Sequence, residues 1–271
     1  MAAESDAVRS AETDKLWNET SVDPVELHLG KDSGFTLRAY RMSDTLPGAK
    51  AKAEEPEAAE EEEEDVPVGR HAAAEDDDTD AEDEDAPEPD AADFEDEDAE
   101  EEEDALDAEP EEVPVFLTRK GKLLVFREAD ALVAYVKAND DHDLAAIEEY
   151  AELQERLSAD DIVCDEDDIY ELDLVVANLR GGQESWEPEL LIKAAEVGRD
   201  LGYALKNDSV IASLAPGSPL DDLDETFRVV VDGGLRGKLA KRRLKKNDSQ
   251  QAAIAWRGVI AKINDHVEWR D

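Results

Sequence analysis

The sequence predicts an α+β fold. It should have an antiparallel sheet of about four strands, a helical C-terminal half and a long acidic insertion expected to be disordered. Three observations predict this. Two pairs of short alternating or apolar runs each flank a turn-forming loop, the pattern of β-hairpins. From Ala129 onward apolar residues recur three and four positions apart, which is the helical period. Between the two hairpins, Glu54–Glu112 holds 34 acids and a single base, Arg70.

That acidic run decides how the composition is read. The 271 residues include 75 acids against 29 Lys and Arg, a formal net charge of −46. Residues 54–112 carry −33 of it, residues 1–53 carry −2 and residues 113–271 carry −11. Outside the run the charge is ordinary for a soluble domain, and 41% apolar residues suffice for a core. Inside the run, Ala, Glu, Asp and Pro with one aromatic, Phe94, cannot bury enough surface to offset chain entropy. Because loop-closure entropy grows only logarithmically with length, such a run fits between paired strands.

The elements follow in order. Residues 1–22 are small and polar and read as a disordered N-terminus. Val25-Glu-Leu27-His-Leu29 and Phe35-Thr-Leu37-Arg-Ala39 alternate around Gly30-Lys-Asp-Ser-Gly34. Val25, Leu27, Leu29, Phe35, Leu37 and Ala39 are expected on one buried face. An isolated hairpin is marginal in water, and Val113–Leu117 with Leu123–Phe126, around Arg119–Lys122, supply a second. The economical division is one domain, residues 23–42 and 113–271, interrupted by an insertion at 43–112. The alternative is a linker with residues 23–42 as a separate arm. Helices are expected from Ala129 to Val136, from Leu144 to Leu157 with Asp143 as N-cap, and from about Ser185 to Lys206. Further helices are expected at Asp221–Val231 and after the Asn247-Asp-Ser249 cap, with Trp256 on the apolar stripe. Tyr170–Val176 reads as a fifth strand or an extended segment.

Several function classes are excluded. No run of 18 apolar residues suggests a membrane span, and residues 1–22 lack a basic start and an apolar stretch of the signal-peptide kind. One cysteine, Cys164, cannot form an internal disulfide, so a cytoplasmic location is expected. Gly233-Gly-Leu-Arg-Gly237-Lys238 falls short of a phosphate loop, because the Gly spacing is short and Leu239 stands where a hydroxyl is needed. Asp76–Asp80 resembles a calcium loop, but Ala81 and Pro87 replace the required Gly and Glu. His28, His71, His142 and His266 lie far apart in sequence, so no sequence-local zinc site exists. Neither catalytic residues nor a cofactor is expected.

One feature points to a ligand. Arg236, Lys238, Lys241, Arg242, Arg243, Lys245 and Lys246 place seven bases in eleven residues without an acid. They can contact phosphates, bind the chain's own acidic insertion, or form an exposed connector; the three readings stay open. If the insertion folds back onto this segment, it competes with external polyanions.

Val25-Glu-Leu-His-Leu, Gly34-Phe-Thr-Leu-Arg-Ala-Tyr40, Val115-Phe-Leu117, Leu124-Val-Phe126 and Ala131-Leu132-Val-Ala-Tyr135-Val together resemble an actinobacterial family of small cytosolic proteins. Its members are often labelled "primosomal protein". Tyr170-Glu-Leu-Asp-Leu-Val and the Trp256-containing helix are similar as well. The family includes a mycobacterial export chaperone of the accessory Sec pathway, so the resemblance implies a non-enzymatic, chaperone-like role toward polypeptide clients. The alternative is a DNA-replication accessory factor contacting nucleic acid through residues 236–246. Protein clients are the expected partners, with no membrane; the sequence does not fix an oligomeric state.

Overall fold

The turn between the first two strands sets the architecture. Strands β1 (Val22–Leu29) and β2 (Asp32–Met42) pair antiparallel, with Leu29 opposite Asp32, so the connection is only Gly30-Lys31. That register puts Val25 opposite Thr36 and Leu27 opposite Gly34. Residues directly opposite share a face, so Val25, Leu27 and Leu29 point one way while Phe35, Leu37 and Ala39 point the other. The expected single buried face is thus corrected. A five-residue loop would have aligned the six side chains, whereas the two-residue turn shifts the parity.

A computed structural model describes residues 9–46 and 110–271. Its sheet is buried on both sides. Val25, Leu27, Leu29, Phe116, Leu123 and Val125 belong to one core, and Leu37, Ala39, Val115, Leu117, Leu124 and Phe126 to another. The run Leu123-Leu-Val-Phe126 therefore feeds both cores in alternation, as an apolar strand covered on both faces must.

β3 (Glu112–Phe116) pairs antiparallel with β2, and β4 (Thr118–Arg119) turns through Lys120-Gly121 into β5 (Lys122–Phe126). The sheet is larger than expected and mixed. β6 (Ile169–Glu171) lies parallel to β1, and the C-terminal β7 (Val267–Arg270) lies parallel to β5. Seven strands are present among the described residues. Both added strands are too short to show a period of two in sequence.

Helices cover both faces. On the second core lie α1 (Ala11–Thr20), α2 (Ala129–Ala138) and α3 (Tyr150–Arg156). The loose N-terminus is overturned for residues 11–20. Ser10 caps α1 by accepting from the Thr13 N–H, Leu16 and Trp17 are buried, and Trp17 Nε1 donates to the Asp161 carbonyl at 3.1 Å. The helix expected from Leu144 is broken into a 3-10 turn, Asp143–Ala146, and α3. Asp143 accepts from the Thr118 hydroxyl at 2.5 Å instead of capping, and His142 takes over as the cap.

The first core gathers α4 (Leu172–Arg180), α5 (Pro188–Ala204), α6 (Asp208–Leu214), α7 (Pro219–Asp232), α8 (Gly234–Leu244) and α9 (Ser249–Asn264). Leu172–Val176 is helical, so only Tyr170 and Glu171 of the suspected fifth strand are extended. Glu187, followed by Pro188 in the first turn, stands at the N-cap of α5 in place of Ser185.

The expected insertion at 43–112 is partly described. Ser43–Thr45 is a 3-10 turn, and Glu112 already belongs to β3. The Ser43 N–H donates to the Glu111 carbonyl at 2.8 Å, and the Glu111 N–H donates to Ser43 Oγ at 3.2 Å. Residues 47–109, with Phe94, His71 and the calcium-like Asp76–Pro87 stretch, lie outside the described residues, as do residues 1–8.

Candidate functional site

The basic segment is helical up to Leu244, in α8, and forms one wall of a groove. Gly233 and Gly234 reverse the chain between α7 and α8, with φ of 75° and 66°, a conformation that side chains with a Cβ rarely adopt. α8 then approaches α7 closely: a Cβ on Gly237 would stand 3.1 Å from the Val229 carbonyl. Only Gly237, Ala240 and Leu244 are buried on α8, a narrow stripe of mostly small residues. All seven bases are exposed, as are Leu235 and Leu239.

α7 is fixed from the other side. Arg199 on α5 donates to Asp221 at 2.7 Å and to Asp224 at 2.8 Å, and Arg228 reaches Asp224 at 3.3 Å. Leu220, Leu223 and Phe227 are buried in the core. α9 supplies the floor. Trp256 packs over Gly198 of α5, where a Cβ would lie 3.8 Å from the indole ring. Asp248 caps α9 through the Gln250 and Gln251 N–H groups.

The space between these helices is an open groove of about 1160 Å³. Its lining includes Leu223, Val229, Leu239, Ala240, Ala252 and Ala255. Leu239 is 62% exposed and Val229 36%. Arg236, Arg242, Arg243 and Lys246 stand along the α8 side, and Asp222 and Glu225 along the α7 side. Lys238, Lys241 and Lys245 do not line the groove; Lys245 pairs with Glu184 at 3.3 Å. Of the seven bases, Lys245 alone has a carboxylate within 4 Å among the described residues. Sequence reasoning found the bases and missed Leu239 and Val229. The signal was two leucines, Leu235 and Leu239, on an otherwise basic helix that leaves them uncovered.

A second cleft, about 890 Å³, is polar and internally paired. Arg38 Nη2 donates to Asp168 at 2.6 Å, and its Nη1 to the Tyr170 hydroxyl at 2.8 Å and Asp200 at 3.4 Å. Tyr40 donates to Asp200 at 2.6 Å. Burial raises the Asp168 carboxyl to about 6, against the pull of Arg38; burial also pushes the Asp200 carboxyl above its ordinary value. Burial opposes the Arg38 charge, but Tyr170, Tyr40 and Asp168 outweigh it and hold the guanidinium pKa above its ordinary value. The network ties β2 to β6 and α5, with its carboxylates and hydroxyls engaged with Arg38 and with one another. Cys164 is poorly suited to attack, because burial pushes its thiol pKa well up.

The sequence family described as the SatS C-terminal domain matches residues 105–264, more than half of the chain. This chain belongs to that family. A solved structure, titled as the crystal structure of the SatS C-terminal domain in complex with bromine, superposes with a TM-score of 0.57. It is 18% identical and covers 94% of this chain and 96% of that one, a likeness of fold. No curated protein matches the chain. That match spans α7, α8 and α9, and thus the groove.

Proposed function

We propose that this chain is a non-enzymatic, chaperone-like protein that holds polypeptide clients in the α7–α8–α9 groove. The observation that carries this reading is the exposure of Leu239 and Val229 over a floor of small apolar side chains. Contiguous exposed apolar surface rimmed by polar residues is characteristic of a binding site, and an apolar groove accepts an amphipathic segment lengthwise. Membership of the SatS C-terminal domain family supports it, as does the resemblance to an actinobacterial family that includes an export chaperone. We place the protein in the cytoplasm; no helix among the described residues is long and apolar enough to cross a membrane. We also read residues 23–42 and 113–271 as one domain, with the acidic segment as an appendage that keeps client complexes soluble through its charge.

The test is suppression of aggregation of a chemically unfolded client by the full chain. At equimolar ratio, light scattering should fall at least by half. Unchanged scattering contradicts the proposal.

A second reading is favoured by one observation, the exposure of all seven bases on α8 and just past its end. In it, Arg236, Lys238, Lys241, Arg242, Arg243, Lys245 and Lys246 contact the phosphates of nucleic acid, as a primosome-type replication factor would. It predicts binding with a steep salt dependence. No DNA binding at 50 mM salt removes it.

A further inference from the structure

We propose that the groove selects client segments whose apolar stripe carries acidic residues along one flank. This rests on the client-binding role proposed above and specifies the chemistry of the client. Arg236, Arg242, Arg243 and Lys246 line one side of the groove, with no carboxylate within 4 Å among the described residues. Leu239 stands on the same helix, so one element offers both the apolar contact and the charge. The opposite side carries Asp222 and Glu225, which repel acids placed there. The third lining acid, Asp248, is engaged in capping α9.

Helix stability does not explain this charge pattern. Lys241, Arg242 and Arg243 in the last turn of α8 complement the helix dipole, but Arg236 lies in the first turn, where a positive charge opposes it and that turn holds no acid. Nucleic acid fits the groove less well than an acidic peptide. A phosphate backbone would run beside Asp222 and Glu225, and among the described residues no aromatic side chain lines the groove for base stacking. A peptide can place its acids on one flank only.

Three fluorescent 16-residue peptides with one shared Leu/Ala stripe, and Glu, Gln or Lys along one flank, test this against the full chain. Fluorescence anisotropy should show the Glu peptide binding about tenfold more tightly than the Gln peptide, with the Lys peptide weakest. The differences should shrink between 50 and 300 mM salt. In the combined variant Arg236→Glu, Arg242→Glu, Arg243→Glu and Lys246→Glu the order should invert. Because all four side chains are exposed, its circular dichroism should match wild type. Equal binding of the three peptides, or an order that survives charge reversal, overturns the inference and leaves the client role standing. A single-stranded DNA 20-mer that binds more tightly than the Glu peptide, and is lost in the variant, overturns it in favour of nucleic acid. If no peptide binds while wild type still suppresses aggregation, the groove is not the client site, and both readings of it fail.

Discussion

Arg38 is 7% exposed and is shared between Asp168 and Asp200, with its guanidinium 4.9 Å from the centre of the Tyr40 ring. Removing one partner of a buried ion pair strands the other charge. Arg38→Ala should therefore destabilise the protein by about 3–5 kcal/mol in urea unfolding. The acids of the network give a pH signature. The Asp168 carboxyl sits at about 6 in the fold against an ordinary 3.8, so the native state holds its proton more tightly than the unfolded chain does. Ionisation of Asp168 thus opposes folding above pH 6, and that opposition fades as the pH falls from 6 toward 4. The stability of wild type relative to Asp168→Asn should rise between pH 7 and pH 5; a difference independent of pH contradicts this. None of this was legible in the sequence. Arg38 read as the polar member of an alternating strand, and its partners lie 130 and 162 residues away. Trp256 was legible, because a helical stripe of apolar residues has only one inward side.

The turns and glycines governed what could be read at the scale of elements. The hairpin of β1 and β2 was visible from alternation, but its facing was not, because loop length fixes parity and Gly30 to Gly34 admits more than one turn. Gly34 has a role that the pattern did not show. A Cβ there would stand 2.4 Å from the Phe126 carbonyl of β5, a backbone atom that cannot swing aside. Gly34→Ala should cost about 3 kcal/mol, the upper end of overpacking penalties, and lower the thermal midpoint. α1 went unread since its polar composition hides two anchors, Leu16 and Trp17. β6 and β7 pair across long sequence separations and are only three and four residues long. The basic segment was visible as charge, but that it forms a helix leaning on Gly237 and Ala240 was not, because that stripe consists of small residues. Gly237→Leu should push α8 off α7 and lower stability by roughly 1–3 kcal/mol, and it should also weaken client holding.

For the whole molecule, the charge division read from sequence still organises the account. The strands flanking residues 47–109 pair with each other, and Ser43 and Glu111 close that end of the sheet. Deleting residues 54–109, which spares Glu111 and Glu112, should therefore leave the circular dichroism spectrum of the described parts unchanged. It should lower the solubility of client complexes, which centrifugation after the aggregation assay measures. If that deletion raises the affinity of Arg236–Lys246 for an external polyanion, the acidic segment competes for α8; unchanged affinity counts against such competition. The groove itself was half legible, since its charges stand in one run of sequence while its apolar surface is assembled from α7, α8 and α9.

The central claim is that the exposed apolar surface of this groove holds the client. Leu239→Asp in the full chain, compared with Leu174→Asp at another exposed leucine outside the groove, tests it in the aggregation-suppression assay. Both side chains are solvent-facing, so both variants should unfold at the wild-type urea midpoint. Leu239→Asp should lose most of the suppression, by at least fivefold in the ratio needed, while Leu174→Asp should retain it. Full activity in the Leu239→Asp variant would contradict the claim.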